Sequence, residues 1–287
     1  MSKIAKIAAL AALALTCVAS TACADFNADK SITVISREEG SGTRGACGEL
    51  TGVEQKVDGE KGDITPDDAQ IPNNPAAMLL PVAGDEQAVG YVSLGSLNDT
   101  VKAVKVEGVD ATAENVADGS YKIARPFNIA YKTDGQSDIS KDFVAYIMSA
   151  EGQAIINEHG YVGSNDAAAY VGSGAEGKLV VGGSSSVSPV MEKLIEGYKA
   201  VNANADIELQ TTDSTTGMTS AIEGTYDIGL ASRELKDDEA AALEHQAIAM
   251  DGIAVIVNAA NPTDDLTVEQ IASIFLGDVT KWNEIVK

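Results

Sequence analysis

Short apolar runs that end in turns rich in serine, threonine and glycine recur along this chain. Residues 32–35 form such a run and precede a polar turn and a segment that predicts a helix over 44–50. The same order recurs after the apolar runs 179–181 and 207–209. Strands that alternate with helical segments are typical of an α/β fold with flanking helices.

Three of these turns, 41–43, 184–187 and 213–217, lie between a predicted strand and a predicted helix. A helix start offers free N–H groups and partial positive charge, which suit a small anion. Open α/β sheets bind ligands beyond the carboxyl ends of their strands, so we expect the turns to converge. One such turn alone is more typical of an ordinary helix cap. Three turns, together with Arg37 and Asp227, favour an anion site.

Two long extended runs and one flexible-looking segment predict how the chain is divided. The runs 125–131 and 253–258 are predicted to cross between two lobes, which implies hinge closure around a ligand. The segment 163–177 is rich in Gly, Ser and Ala and is predicted to be a linker.

The charge of the chain restricts its partners. Among 287 residues, 43 are acidic and 20 are basic, giving a formal net charge of -23. So acidic a surface would repel nucleic acid and anionic membranes, so we expect neither as a partner. Any anion must therefore be held by local donors against the field of the whole molecule.

The first 24 residues have the composition of a leader. A basic start, a short apolar core at 7–15 and a small-residue zone predict an exported protein, and the core is too short to span a membrane. Two processing routes remain open. Ala22 and Ala24 fit a peptidase site that would give a periplasmic or secreted protein. Alternatively, Cys23 ends a lipobox-like sequence and would anchor a cell-surface lipoprotein.

The sequence shows no pattern typical of a catalytic, metal or cofactor site. Cys47 is the one cysteine beyond the leader, so no intrachain disulfide is expected. His159 and His245 lie near no nucleophile motif, and no metal-ligand spacing or cofactor fingerprint is present. We therefore expect a binding protein with no catalytic residues, metal or cofactor.

Five motifs carry a resemblance to a known family: 37–44, 149–154, 183–187, 227–233 and 250–258. With these motifs the chain resembles the phosphate-binding proteins of phosphate ABC transporters. The resemblance implies an α/β, two-lobed periplasmic-binding-protein fold of type II, with mixed sheets, flanking helices and two crossing hinge segments. It also implies a monomer that captures inorganic phosphate and delivers it to membrane ABC permease subunits.

The order of the segments differs from the usual order in that family. The segment that resembles the family's first part is 179–287, and the one that resembles its second part is 32–162. This exchange indicates a circular permutation, with 163–177 joining the usual termini; a truncated product of a tandem gene is the alternative. Lobe two is then 25–131 completed by 259–287, and lobe one is 132–258.

The resemblance also implies roles for individual residues. Arg37 would pair with the anion, Glu39 would brace Arg37, and Asp227 would accept the phosphate O–H. An ionised carboxylate only accepts hydrogen bonds, so Asp227 would reject unprotonated sulfate. Which residue of 184–186 contacts the ligand is left open. The full set of expected phosphate ligands is Arg37, Ser41, Gly42, Thr43, Ser185, Ser186, Val187, Ser214 and Asp227.

Three alternatives to phosphate transport remain. The chain could bind another tetrahedral oxyanion, or act as a phosphate scavenger or sensor without a permease. A phosphate-ester hydrolase is the alternative from another class of protein, and release of phosphate from an ester would reveal it.

Overall fold

The computed structural model describes residues 26–57, 60–63 and 65–285. The predicted leader, residues 1–24 with Cys23, lies outside the described residues.

The strands follow the apolar runs of the sequence. They are Thr33–Val34 (β1), Glu54–Val57 (β2), Glu60–Asp63 (β3), Ala88–Ser93 (β4), Val101–Ala103 (β5), Lys105–Val106 (β6), Ala124–Tyr131 (β7), Gly177–Ser184 (β8), Ala205–Thr212 (β9), Ile228–Ala231 (β10), Glu244–Asn258 (β11) and Asp265–Leu266 (β12). The main sheet has the order β1-β4-β11-β7-β10-β8-β9, with β5 also paired to β11. β1–β4, β10–β8 and β8–β9 are parallel, whereas β11 and β7 run antiparallel to their neighbours, so the sheet is mixed.

Helices flank this sheet. They are Gly42–Thr51 (α1), Pro75–Gly84 (α2), Ala113–Ala117 (α3), Asp138–Ile147 (α4), Ala150–Glu158 (α5), Ser188–Val201 (α6), Ser214–Glu223 (α7), Asp237–Ala242 (α8) and Val268–Phe275 (α9). Polar side chains cap many of them: Ser41 accepts a hydrogen bond from Arg44 N at the start of α1, and Asp213 accepts one from Thr216 N at the start of α7. Within the described residues, every helix falls short of the length and apolar character that crossing a bilayer requires.

The buried apolar side chains form two main clusters, one toward each end of the sheet. The first includes Phe127, Ile129, Leu179, Leu194 and Ile248. The second includes Tyr91, Ile123, Val255, Ile271 and Trp282. Burial of apolar surface is the main term that stabilises each cluster.

Two strands, β7 and β11, run from one cluster to the other. β11 pairs with β7 as far as Gly252 and with β4 from Ile253 onward. The crossing therefore lies at 124–126 on β7 and at 250–252 on β11. On β7 this crossing coincides with the start of the predicted run 125–131. On β11 it ends just before the predicted run 253–258, whose apolar side chains pack in the second cluster and in a neighbouring cluster.

The segment 163–177 is held against the first cluster by hydrogen bonds. Asp142 on α4 accepts bonds from the Tyr170 hydroxyl at 2.6 Å and from Ser173 N at 2.8 Å. Asn202 donates to the Ala175 carbonyl at 2.8 Å. Composition alone predicted a flexible linker here, but these few polar anchors fix its path.

The first and last described residues lie side by side. Ile32 N donates to the Thr280 carbonyl at 2.8 Å, and Asn283 N donates to the Ala28 carbonyl at 2.9 Å. Phe26 also packs edge-on against the buried Trp282, with 6.4 Å between ring centroids. The chain thus leaves the second cluster beside the point where it enters β1.

Candidate functional site

The starts of α1 and α7 come into close contact between the two halves of the molecule. The Gly40 carbonyl accepts a hydrogen bond from Thr215 N at 3.3 Å. Gly40 itself has φ of 84°, in the left-handed region that favours glycine. A Cβ added at Gly42 would lie 2.3 Å from Ser214 Oγ and 2.6 Å from Ser232 Oγ. Glycine at position 42 therefore allows this approach.

Arg37 supplies a buried positive charge at the same place. Its Nε and Nη2 atoms both donate to the Glu38 carboxylate at 2.7 Å, and Nη2 also donates to Ser185 Oγ at 2.9 Å. Tyr91 holds the main chain here, because its hydroxyl accepts from Arg37 N at 3.2 Å. Burial raises the pKa of Tyr91, which keeps that hydroxyl protonated and neutral.

Buried hydroxyls surround this point. Ser184 Oγ donates to Ser232 Oγ at 2.9 Å, and Ser232 N donates to Ser214 Oγ at 3.1 Å. Thr43 Oγ1 and Ser186 Oγ lie 2.8 Å apart and share a hydrogen bond. We call Arg37, Thr43, Ser184, Ser185, Ser186, Ser214 and Ser232 the hydroxyl–arginine cluster.

Most of the residues expected at the site lie in or beside this cluster. The predicted convergence of the three turns is confirmed. Ser41 lies beside it as the buried cap of α1, with Gly42 next in the chain. Val187 is buried at the start of α6, and its N–H donates to the Ser184 carbonyl at 3.1 Å.

Asp227 is the exception, and the prediction that it meets Arg37 is wrong. Asp227 is exposed, and its carboxylate accepts a hydrogen bond from Val180 N at 2.7 Å. It precedes β10, whereas the cluster lies beyond the other end of that strand. Asp227 and Ser232 are five positions apart, which is about 16 Å of extended chain. The carboxylate satisfies a strand amide at the far edge of the sheet.

The residue expected to brace Arg37 also differs. Glu38, partly buried, makes both carboxylate contacts with the guanidinium, whereas Glu39 is exposed. A fork-to-fork contact between neighbours in sequence leaves little room for a second acid at the same guanidinium.

Sequence reasoning missed Ser232, which is fully buried in the cluster. Its position in the chain would have indicated it, because Ser232 directly follows β10, and β10 is parallel to β8. The carboxyl ends of parallel neighbours lie at the same edge of the sheet.

A buried ion pair, Arg125 with Asp251, lies next to the cluster and was also missed. Arg125 Nη2 donates to Asp251 Oδ2 at 3.0 Å, and Nη1 donates to the Ser232 carbonyl at 2.9 Å. Burial lowers the pKa of Arg125 and raises that of Asp251, because both charges have lost water.

The cluster offers hydroxyl donors, helix-start N–H groups and one buried guanidinium around a single point. This is chemistry for holding a small oxyanion. The residues that the structure describes contain no grouping of His, Cys, Asp or Glu that could hold a metal ion.

Comparison with known proteins gives a family match over most of the chain. Residues 11–151 and 168–286 match the model of a PBP superfamily domain. A phosphate-binding protein PstS 2 of Streptococcus agalactiae serotype V is 49% identical over 258 residues, which are 89% of this chain and 88% of the relative. A PstS 2 of Streptococcus pneumoniae serotype 4 is 40% identical over 290 residues, 99% of each chain.

A solved structure resembles this one throughout most of its length. The crystal structure of a phosphate-binding protein of a phosphate ABC transporter from S. pneumoniae TIGR4 is 42% identical and has a TM-score of 0.74. It covers 89% of this chain and 99% of that one. By contrast, the PstS of Bacillus subtilis, at 31% identity, aligns over 39% of this chain.

Proposed function

This chain belongs to the PstS family of phosphate-binding proteins, within the PBP superfamily, and we propose that it captures inorganic phosphate between two lobes for delivery to an ABC permease. The observation that carries the proposal is the pair of contacts that join the two halves of the molecule. Arg37 reaches Ser185 and Thr43 reaches Ser186, so donors from both halves meet at one buried point. A tetrahedral anion placed there would be held by both lobes at once.

Charge balance indicates that hydrogen-bond donors, and not net positive charge, would hold the anion. Arg37 is already paired with Glu38, and Arg125 with Asp251, so the two arginines add no net charge to the site. Neutral hydroxyl and N–H donors must then hold most of the anion's oxygens. Such donors bind an oxyanion through directed hydrogen bonds at defined positions.

Selectivity over sulfate needs an acceptor for the phosphate proton, and Asp227 lies too far away to supply it. We propose that a serine oxygen of the cluster takes this role, since a hydroxyl can accept a bond while donating its own proton elsewhere. Ser232 Oγ already accepts a bond from Ser184 Oγ. A neutral acceptor repels sulfate less than a carboxylate does, so another tetrahedral oxyanion remains the second candidate ligand.

The remaining features of the proposal concern export and assembly. The protein works outside the cytoplasm as a monomer, either lipidated at Cys23 or cleaved after Ala24, and has no catalytic function. Its lobes are 132–258 as lobe one and 25–131 plus 259–287 as lobe two, and the change from one buried cluster to the other lies a few residues earlier on both strands, at 124–126 and 250–252. Phosphate would favour the closed arrangement of these lobes, and a permease would recognise that closed arrangement.

The exchanged order of segments is proposed to be a natural circular permutation. One alignment spans 99% of both this chain and the S. pneumoniae PstS 2, so the two share their order of segments. The adjacency of 26–32 and 280–285 supports the same view, because a new break in a once continuous chain leaves its two new ends close together.

Calorimetry on the protein without residues 1–24 tests the proposal. We expect phosphate to bind, and Arg37→Lys to weaken binding about tenfold or more, because an ammonium cannot replace a guanidinium that contacts Glu38 and Ser185 together. Asp227→Asn serves as the matched control and should leave phosphate affinity and the phosphate-to-sulfate ratio unchanged. Absence of heat with phosphate, or stronger binding of sulfate, would overturn the proposal.

A further inference from the structure

The Arg125–Asp251 ion pair lies where the two strands cross between the buried clusters. The two residues are directly opposite each other in the β7–β11 ladder. Arg125 is 2% exposed and Asp251 is 1% exposed. Ile123 and Ile253 belong to one cluster while Phe127 and Ala249 belong to the other, so the pair lies between them.

Each member of the pair reaches into a different half of the molecule. Arg125 donates to the carbonyl of Ser232, whose N–H and hydroxyl both lie in the hydroxyl–arginine cluster. Asp251 accepts bonds from Ser93 Oγ at 3.0 Å and from Leu94 N at 3.2 Å, at the end of β4. The pair therefore connects the anion site to the opposite lobe through the crossing strands.

Stability alone is a poor explanation for this pair. A buried ion pair often contributes no more than well-packed apolar residues of the same size would, because both charges lose their water. Here the free-energy cost of burying the pair is higher, since Arg125 Nε is buried without a hydrogen-bond partner among the described residues. Apart from Asp251, Arg125 has the Phe127 ring 5.4 Å away and the Ser232 carbonyl.

We propose that the Arg125–Asp251 pair is a positioning element, which fixes the main chain at Ser232 and sets the angle at which the two lobes meet. This inference rests on the proposed function for its effect on phosphate. The two residues act through Ser232, Ser93 and Leu94 and do not themselves touch the ligand. Affinity and lobe geometry should therefore both respond to a change at the crossing.

The first test measures phosphate affinity in Arg125→Lys. An ammonium keeps the charge but cannot hold Asp251 and the Ser232 carbonyl in the same fork, so we expect about tenfold weaker binding or more. Asp142→Asn is the matched control, because it also removes a buried carboxylate network but lies away from the site. It should lower the melting temperature and leave the affinity for phosphate unchanged. Equal affinity in Arg125→Lys and the wild type would overturn the proposal.

A double-mutant cycle separates positioning from general destabilisation. If Arg125 acts through Ser232, Arg125→Lys should weaken binding much less in a Ser232→Ala background than in the wild type. In a Thr43→Ala background its effect should keep its full size. Full additivity with both variants would contradict the inference. Ser93→Ala, which removes one bond to Asp251, is a milder variant if Arg125→Lys does not fold, and it should shift affinity in the same direction.

The second test does not depend on phosphate. Spin labels at Leu80→Cys on α2 and Val201→Cys on α6, two exposed positions in different lobes, report the interlobe distance in a Cys47→Ala background. Arg125→Lys should shift or broaden that distance distribution in phosphate-free protein, whereas Asp142→Asn should not. An unchanged distribution overturns the inference, even if phosphate binds. A wild type that ignores phosphate overturns the proposed function instead, and the distances still decide the inference.

Discussion

Gly42 shows how one missing side chain can decide whether two lobes close. It is the first residue of α1, and any Cβ there would collide with the Ser214 and Ser232 hydroxyls. Gly45 is on the same helix, yet a Cβ there would meet only Arg233 Cδ, at an ordinary contact distance of 3.8 Å. The two glycines lie on the same helix but have different surroundings.

Gly42→Ala is therefore expected to separate stability from binding. Alanine favours a helix by up to about 1 kcal/mol over glycine, so neither alanine variant should unfold α1. Gly42→Ala should weaken phosphate binding about a hundredfold, because overlap with Ser214 and Ser232 prevents close approach. Gly45→Ala should bind as the wild type does. Calorimetry with both variants checks this, and equal affinities would show that the contact at Gly42 is dispensable.

Single residues were predictable from the sequence only when their position relative to a strand was used correctly. Arg37, Thr43 and Ser214 follow predicted strands, and the structure brings them together. Asp227 precedes its strand, so the same rule places it at the opposite edge, and Ser232 at the other end takes the buried position. The pairing of Arg125 with Asp251 joins residues far apart in sequence, and no local sequence pattern predicts such a contact.

At the scale of elements, Asp142 on α4 holds the segment that connects the two parts of the permuted order. Its carboxylate accepts bonds from the hydroxyls of Tyr170 and Tyr198 and from Ser173 N. Burial by itself would raise the pKa of Asp142, but these hydrogen bonds outweigh it and lower the pKa. The charged form is thus the one that the folded protein stabilises.

The stability that Asp142 contributes should depend on pH with a definite sign. A lowered pKa in the folded state gives stability that is present above the ordinary value of about 3.9 and is lost as the pH falls through the folded value. We expect Asp142→Asn to lower the free energy of unfolding by about 1–3 kcal/mol near neutral pH, and the difference to shrink below about pH 4. Urea titrations across pH measure this. Asp138→Asn, an exposed change on the same helix, should have a much smaller effect, and a pH-independent difference for Asp142→Asn would contradict the assignment.

The strand–turn–helix units were the part of the fold that the sequence predicted well, because their apolar runs and turn residues are local signals. The mixed pairing around β7 and β11 was not readable in the same way. β11 changes partner between Gly252 and Ile253, and tertiary contact rather than propensity determines that change.

At the scale of the whole molecule, the protein must attract an anion while carrying a formal net charge of -23. Arg37 in the cluster and Arg125 beside it are paired with Glu38 and Asp251, so these two guanidinium groups add little net positive charge against the surrounding field. Repulsion of this kind acts on the approach of the ligand and is screened over about 10 Å at 0.1 M salt.

Added salt should therefore speed phosphate association. We expect the association rate constant to rise as potassium chloride increases from about 0.01 to 0.3 M, because screening weakens the repulsion. Stopped-flow measurements with a fluorophore attached near the hydroxyl–arginine cluster would follow this. The dissociation rate constant, set by the buried contacts, should change much less. A fall in the association rate with salt would mean that a positive local field guides the ligand.

The hydrogen bonds between Arg37 and Ser185 and between Thr43 and Ser186 have a consequence for recognition. The groups that would bind an anion are already hydrogen-bonded to one another when the two halves of the molecule meet. Binding is then an exchange, in which the oxygens of the anion must replace the protein's own oxygens as acceptors of the same hydrogen bonds. Selectivity among anions would depend on how much more strongly each anion accepts these hydrogen bonds than the protein's own oxygens do. It would not depend on the attraction of the anion to donors without a partner.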